Sequence, residues 1–430
     1  MTVARKSRSH RHRLLPTSID DPVLMRPRGD SYLLLQQFSD DHAAPLATPH
    51  NYGPGPGKIT FVEVDGSYAV SGGKIVITGQ SSAAWGDLCW YCADAFTRVP
   101  GRMAIFENIE RVGTVNSYGP YAGFVESITP ASIDDTVDAG FQFAAADILG
   151  LTSDSSDHRV TFGTIVADTE YDFTVVLRTT GSFLFIRGGI WSDWSLVYVE
   201  SISSTATLYV AATYFLAPAK VCNMSRVAVP KRLWMPTPLA YDTFTRDDSD
   251  SLGSTETTGP DGQTCIARAW VEDTGDLDIA SNAMATSGSA AWIAWVETNE
   301  SDVFVEADFA VAGGGTYMGL AFRLVDGLNY WLARIYFYAS ANHDWSLTDV
   351  AAGSFTERAY ETNPVSAAEK LTVSAHGDVI RIWRDDGNSL THTSSLYNTA
   401  TKHGVRHGAG PTQMLDFAVW PINPQDFPSV

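Results

Sequence analysis

The stretch Thr243-Phe244-Thr245-Arg246-Asp247-Asp248 has a counterpart about 200 residues earlier, Gln37-Phe38-Ser39-Asp40-Asp41. Each of the two opens a long region of short apolar runs, and each region closes on a Val/Ala-rich segment that ends in proline. These closing segments are Arg226–Pro230 and residues 416–421. A repeat of this length indicates a duplicated domain rather than a unit of a solenoid. The sequence therefore predicts one fold that occurs twice.

The apolar runs inside both regions are short and alternate with polar residues. Glycine, aspartate, serine or proline bounds most of them, which is typical of strands joined by turns. A sustained apolar period of 3.6 residues is missing from the sequence, so long amphipathic helices are not expected. The pattern predicts an all-β protein of two tandem antiparallel jelly-roll β-sandwiches with an extended N-terminal arm.

The repeat and the prolines divide the chain. Residues 1–30 form a basic arm interrupted by proline, residues 31–230 the first and more diverged jelly roll, residues 231–238 a proline-rich linker, residues 239–422 the second jelly roll and residues 423–430 a tail. Prolines at positions 230, 236 and 238 predict that the linker is a stiff, extended spacer rather than a loose tether.

Charge is distributed unevenly along the chain. The net charge is −20 over 430 residues, whereas the start of the arm is basic and contains Arg5, Lys6, Arg8, Arg11 and Arg13. An acidic body repels nucleic acid and anionic membranes, so we expect neither as a partner. For the basic arm the sequence leaves two interpretations open, attachment to an acidic or phosphate-bearing partner and a solvated tail.

The N-terminal residues are too polar for a secretory signal, and no apolar segment of the kind that such signals contain follows them. The longest apolar run, residues 208–217, is too short to span a bilayer and is rich in strand-forming residues. We therefore expect a soluble protein without a membrane span.

The spacings of one cysteine pair and one histidine pair suggest metal or redox chemistry. The secondary structure that is predicted around each pair does not support such a site. Cys89 and Cys92 form a C-x-x-C in a segment that is predicted to be a strand, where residues three apart point to opposite faces and cannot share a metal or a disulfide. His403 and His407 are four apart, which suits a metal site on a helix, but the glycine at position 404 disfavours a helix there. We predict no metal or redox centre at either pair.

The second region carries a recognisable set of motifs. They are residues 241–246, 251–257, 319–323, 329–331, 371–373 and 415–419. This set resembles the concanavalin A-like lectin/glucanase (laminin-G-like) jelly roll, in the version common in structural and tail proteins of tailed bacteriophages. The first region is similar to a diverged copy, with Gly123 matching Gly319 and Gly181 matching Gly377. Within this fold we expect Gly319 to permit close approach of the two sheets.

The resemblance implies sugar binding, or a role as a rigid surface module of a virion. It also implies a homo-oligomer, because virions are symmetric. Glycanases of this fold place carboxylates two residues apart on one strand, and Glu306 and Asp308 have that spacing, as do Glu63 and Asp65. The alternating residues of segment 303–310 are apolar, so we interpret both pairs as the solvated faces of half-buried strands rather than as catalytic pairs.

Aromatic and acidic residues near predicted strand ends are the remaining candidates for a site. Trp191, Trp194, Tyr330 and Trp331 are candidates for stacking on sugar rings. Asp247, Asp248 and Asp250 form an acidic loop, for which a calcium site and a solvated turn are alternatives. No other cofactor is expected.

The most consistent function is that of a non-enzymatic virion protein of a tailed phage, in the tail, the baseplate or on the particle surface. The arm would attach it to other virion proteins, and the jelly rolls are expected to bind host glycans. A capsid or neck decoration protein without a ligand is one alternative, and a polysaccharide-degrading glycanase on the same fold is another.

Overall fold

The computed structural model describes residues 32–38, 46, 48–52, 56–64, 66–79, 88–113, 118–130, 136–152, 158–200, 207–216, 220–274, 277–286, 291–311, 317–336, 345–362, 368–384, 388–408, 412–424 and 427. The arm with its five basic residues, as well as Asp65, lies outside the described residues.

Sixteen described strands precede the linker. They are β1 Tyr32–Gln37, β2 Ile59–Glu63, β3 Gly66–Ser71, β4 Lys74–Gly79, β5 Leu88–Cys92, β6 Met103–Val112, β7 Tyr118–Val125, β8 Val137–Ala144, β9 Asp147–Thr152, β10 His158–Thr164, β11 Glu170–Leu177, β12 Ser182–Gly188, β13 Trp191–Glu200, β14 Tyr209–Phe215, β15 Val221–Met224 and β16 Arg226–Pro230.

Fifteen described strands follow the linker. They are β17 Ala240–Asp242, β18 Val271–Thr274, β19 Leu277–Ile279, β20 Met284–Thr286, β21 Trp292–Glu297, β22 Val303–Val311, β23 Tyr317–Asp326, β24 Asn329–Tyr336, β25 Trp345–Ala351, β26 Ser354–Glu361, β27 Ala368–His376, β28 Val379–Arg384, β29 Ser389–Thr393, β30 Lys402–His407 and β31 Thr412–Pro421.

The strands form four antiparallel sheets. Sheet I has the order β13-β12-β11-β6-β15-β4-β3, with β16 pairing β6 and β1 pairing β16, and sheet II has the order β10-β9-β8-β7-β14-β5-β2. Sheet III has the order β19-β20-β31-β22-β27-β28-β29, with β17 pairing β31, and sheet IV has the order β18-β21-β30-β23-β24-β25-β26. The predicted all-β fold of two antiparallel sandwiches is confirmed, and within the described residues no helix is long and apolar enough to cross a membrane.

Each sandwich joins its two ends in one sheet. The first strand of the first sandwich pairs with its last, with Leu35 opposite Ala228, and β17 pairs with β31, with Tyr241 opposite Ala418. Phe244 and Phe417, from the two ends of the second sandwich, are fully buried in the same core. The repeated Phe motifs and closing segments therefore seal each sandwich from its own termini, as their positions predict.

The two sandwiches also match at their glycines. A Cβ atom on Gly123 would lie 2.1 Å from the carbonyl oxygen of Ala139, and one on Gly319 would lie 2.1 Å from that of Ala333. Both contacts join neighbouring strands of one sheet, β7 to β8 and β23 to β24. The expectation that Gly319 lets two sheets approach is therefore wrong, because the close approach is between adjacent strands.

The hydrophobic core of the first sandwich continues into the second. Phe304, Trp383, Ala418 and Trp420 lie on the face of sheet III that points away from the second core, and they belong to the same buried cluster as the first sandwich's core. The ring of Trp420 meets that of Phe183 at 4.7 Å, edge to face. The two sandwiches therefore pack sheet III against sheet I.

The linker and the tail close the same junction. The linker's Trp234 is buried, and its backbone NH donates a hydrogen bond to the carbonyl oxygen of Gly101 in the first sandwich. The tail's Phe427 packs against Trp234 with ring centroids 4.8 Å apart, and against Phe185 at 5.1 Å. The linker is therefore packed against the first sandwich and the tail at Trp234.

Candidate functional site

Glu306 lies at the junction of the two sandwiches, not in solvent. Alternation along β22 directs Val305 and Ala307 into the second core and turns Glu306 toward the first sandwich. Its side chain is 4% exposed and lies 3.3 Å from Nη1 of Arg178 and 3.1 Å from Nζ of Lys370. The interpretation of Glu306 as a solvated carboxylate is wrong, because the outward face of β22 is covered by the neighbouring sandwich.

The electrostatics keep Glu306 ionised. Burial opposes its ionisation, but the adjacent Lys370 and Arg178 outweigh burial and lower the pKa of Glu306 to about 2. Trp420 adds an Nε1–H hydrogen bond to the same carboxylate at 2.9 Å. A general acid must hold its proton near neutral pH, so this carboxyl is unsuited to that role.

Arg178 is the first sandwich's contribution to the junction. Its Nε lies 3.3 Å from Oδ2 of Asp261 in the second sandwich, and the neighbouring Thr179 NH donates to Oδ1 of Asp261 at 2.6 Å. Its guanidinium carbon lies 5.3 Å from the centroid of the Trp420 ring. One arginine thus joins two carboxylates and an aromatic ring across the junction, in a position that is 7% exposed.

Asp308, the second member of the predicted carboxylate pair, has a 40% exposed side chain. It lies directly opposite Asp416 of β31, at a register shift, and its NH donates to Oδ1 of Asp416 at 3.0 Å. Burial, reinforced by the charge of Asp308, raises the pKa of Asp416 to about 7. A carboxyl with this pKa beside a second carboxyl is suited to proton transfer.

The sugar-stacking candidates of the first sandwich are both packed. Trp191 is 4% exposed and forms part of the first core. Trp194 is half-buried, because the tail's Phe427 stacks on it at 4.6 Å and the guanidinium of Arg187 lies 4.9 Å from its centroid. The tail and the arginine therefore occupy the ring faces that a sugar would need.

The candidates of the second sandwich are fully buried. Trp331 lies in the second core and donates its Nε1–H to the carbonyl oxygen of Leu396 at 2.8 Å. Tyr330 points to the opposite face of sheet IV and is also covered, with its pKa raised by burial. Neither ring presents a face to solvent.

The predicted acidic loop does not gather its carboxylates. Asp247, Asp248 and Asp250 are exposed, and Oδ1 of Asp248 accepts a hydrogen bond from the NH of Ser281 at 2.9 Å. Within the described ranges, no group of three or more histidine, cysteine, aspartate or glutamate side chains is placed to hold a metal ion. The calcium site therefore has no support in the geometry.

The cysteine and histidine pairs lie on strands. Cys89 and Cys92 of β5 belong to different buried clusters on the two faces of sheet II, as the strand prediction requires. Burial raises the pKa of the Cys92 thiol to about 11. His403 and His407 lie on β30, and burial lowers the pKa of His403 to about 4.

A polar and aromatic patch covers the outer face of sheet IV, opposite the second core. We call it the sheet IV face and define it by Tyr317, Tyr330, Arg334, Phe355 and Arg406. The guanidinium carbon of Arg334 lies 5.7 Å from the Tyr317 centroid and 5.9 Å from that of Phe355, and the guanidinium carbon of Arg406 lies 5.3 Å from that of Phe355. Phe355 is 41% exposed, so one ring of the patch reaches solvent.

Of the candidates from the sequence, Tyr330 belongs to this face, and the other four residues of the face were not singled out. Its residues come from β23, β24, β26 and β30, which only the sheet order brings together. A signal was present in the outward alternation of β24, where Tyr330, Arg334 and Tyr336 share a face. Arg406 precedes His407 in the sequence. Its position on the sheet IV face could have been predicted only from the pairing of β30 with β23.

No protein-family model matches this chain, and no curated protein matches it. Among solved structures, the carbohydrate-binding module CBM66 of Bacillus subtilis is 18% identical over 35% of this chain and 94% of the module, with a TM-score of 0.31. Galectin LEC-6 of Caenorhabditis elegans is 10% identical over 30% of this chain and 89% of the galectin, with a TM-score of 0.25. Domains LG4-5 of mouse laminin α1 are 11% identical over 82% of this chain and 84% of theirs, with a TM-score of 0.24. Likenesses at this level carry no argument about function.

Proposed function

We propose that this chain is a non-enzymatic structural protein that binds carbohydrate on the sheet IV face. The observation that carries the proposal is the combination of an accessible ring, Phe355, with two arginines beside it. Aromatic rings stack on the apolar faces of sugars, and guanidinium groups donate hydrogen bonds to their oxygens. The other face of the second sandwich, on sheet III, is covered by the first sandwich.

The resemblance of the second sandwich's motifs to proteins of tailed phages supports a place in a virion. We propose the tail, the baseplate or the particle surface, with the basic arm as the attachment to other virion proteins and with the protein as a homo-oligomer. Particles assembled with a chain that lacks residues 1–30 should contain little of it by mass spectrometry. Normal incorporation of the truncated chain would contradict the attachment role.

The binding proposal is tested on a glycan array with the whole protein, with and without calcium. Phe355→Ala should weaken binding about tenfold, because it removes the exposed ring of the face. Val166→Ala is the matched control, since Val166 is 52% exposed and lies on the first sandwich. An array on which the wild-type protein binds no glycan would remove carbohydrate binding from the proposal.

A glycanase is the second candidate, and Asp308 and Asp416 are the observation in its favour. The Asp308 side chain is 40% exposed, and the carboxyl of Asp416 has a pKa of about 7. Against it, Lys370 lies 3.9 Å from Asp308 and also binds Glu306, so the pair is part of the ionic network that joins the sandwiches. Turnover of a polysaccharide panel that is lost in Asp416→Asn and retained in Asp193→Asn would replace the non-enzymatic proposal.

A further inference from the structure

Two guanidinium groups converge on the sheet IV face across a position that has no side chain. Arg334 of β24 and Arg406 of β30 are both cross-strand partners of Gly319 in β23. Neighbouring strands are about 4.8 Å apart, so the two arginines start from the strands on either side of Gly319. Both guanidinium carbons then lie within 6 Å of the Phe355 centroid, at 5.9 and 5.3 Å.

The two arginines differ in how their charge is compensated. Arg334 donates its Nε–H to Oγ of Ser346 at 2.9 Å and lies 3.3 Å from Oε2 of Glu357. Arg406 donates its Nε–H to the Tyr317 hydroxyl at 3.3 Å, and among the described residues its two terminal nitrogens meet no carboxylate. The face therefore holds one guanidinium that has no carboxylate partner among the described residues.

A buried tyrosine lies beside Arg406. Tyr330 is 0% exposed, and its ring centroid lies 5.8 Å from the guanidinium carbon of Arg406. Burial raises the pKa of Tyr330, and the adjacent charge of Arg406 acts against that rise. Tyr330 and Tyr317 therefore place the Arg406 guanidinium on the sheet IV face.

A carboxylate is the group that this arrangement fits. The planar fork of an arginine matches a carboxylate with two parallel hydrogen bonds, and such charge-assisted bonds are stronger than those to neutral hydroxyls. The adjacent rings supply the apolar contact that a sugar ring needs. We infer that the sheet IV face binds an acidic sugar, of the uronic acid class, with its carboxylate on Arg406 and its ring against Phe355. This inference rests on the proposed carbohydrate binding and names its ligand class.

The net charge of the chain limits the ligand further. A charge of −20 repels a long polyanion, whereas a single carboxylate in contact with Arg406 is affected little, because charges beyond about 8 Å are screened at physiological salt. A short oligosaccharide with isolated carboxylates should therefore bind better than a densely sulfated chain.

The experiment compares a panel of short uronic-acid-containing oligosaccharides with their neutral counterparts and with heparin, by calorimetry on the whole protein. Acidic members should bind about tenfold more tightly than their neutral counterparts. Arg406→Gln should abolish this difference while keeping the binding of neutral sugars. Arg159→Gln is the charge-matched control, because Arg159 is exposed on the first sandwich and lies 5.9 Å from the Tyr121 centroid.

The outcomes separate the two proposals. Equal binding of acidic and neutral sugars, or an equal loss in both arginine variants, would overturn the acidic ligand and leave carbohydrate binding in place. Preference for heparin alone would overturn the carboxylate assignment. An absence of binding to every member of the panel would overturn both proposals, provided that the variants and the wild type have the same circular dichroism spectrum.

Discussion

The buried carboxylate of Glu306 is the centre of an ionic network that stabilises the junction between the sandwiches. Its carboxylate is the shared partner of Arg178 and Lys370, which come from different sandwiches. Removing one member of a buried ionic network leaves the others uncompensated in a medium of low dielectric constant. This is more costly than replacing the whole network by apolar residues.

Glu306→Ala should therefore lower the free energy of unfolding by about 3–5 kcal/mol. Guanidinium chloride denaturation followed by circular dichroism would measure the change. Asp193→Ala, at an exposed position, should change it by less than about 0.5 kcal/mol. Similar small effects of both substitutions would show that the Glu306 network does not stabilise the fold.

Ionisation of Asp416 makes the stability of the folded protein fall as the pH rises. Its pKa is about 7 in the folded protein and about 3.9 in an unfolded chain, so the folded state binds the proton more strongly. The stabilising contribution of the protonated group is complete below about pH 4 and is lost as the pH rises through about 7. Glu306 contributes in the other direction, because its stabilisation is lost only as the pH falls toward about 2.

Asp416→Asn should consequently remove a decrease in stability between about pH 4 and pH 7. At about pH 8 the variant should be more stable than the wild type by about 1–2 kcal/mol, allowing for the partial exposure of the group. Thermal melts across this range would measure it. A wild-type stability that rises with pH over the same interval would contradict the assignment of the raised pKa.

At the scale of the strands, the two glycines that match across the repeat are required by the same contact. Gly319→Ala would place its Cβ 2.1 Å from the Ala333 carbonyl oxygen, so β23 and β24 would have to separate. We expect a loss of about 1–3 kcal/mol, and the same sign for Gly123→Ala. Chemical denaturation would test this, with Gly72→Asn as the control, because Gly72 has a φ of 60° and a Cβ added there would meet nothing within 4 Å.

The strands that period-two alternation predicts are mostly present, and those that it missed have physical reasons. Segment 303–310 was predicted and forms β22. In contrast, β26 was not predicted, because it lies at the edge of sheet IV and reads Ser-Phe-Thr-Glu-Arg-Ala-Tyr-Glu, with little apolar alternation. Strand β8 reads Val-Asp-Ala-Gly-Phe-Gln-Phe-Ala and does alternate, but its polar face is covered as well, with Asp138 2% and Gln142 1% exposed.

The candidate site could be predicted less well than the fold. Alternation placed Glu306 and Asp308 on the outer face of β22, and this is correct. Which surface covers that face depends on the docking of a distant sheet, and no local pattern in the sequence carries this information. Arg334 and Arg406 lie on either side of Gly319 because of the register between β24, β23 and β30. No local pattern in the sequence gives that register either.

At the scale of the molecule, the packing of sheet III on sheet I should make the two sandwiches unfold together. Arg178, Phe183 and Trp420 hold the junction, and Leu196 donates its NH to the carbonyl oxygen of Ile422 at 2.8 Å. Differential scanning calorimetry of the wild type should show one transition, and Arg178→Ala should split it into two. A wild type with two separate transitions would show that the sandwiches are energetically independent.

The tail reaches back onto the first sandwich, where Phe427 lies between Trp194 and Trp234. During synthesis on the ribosome, the first half emerges long before this residue is made. Its aromatic surface must then remain uncovered until residue 427 has been synthesised. Maturation of the first sandwich is thus coupled to synthesis of the segment that follows the second sandwich.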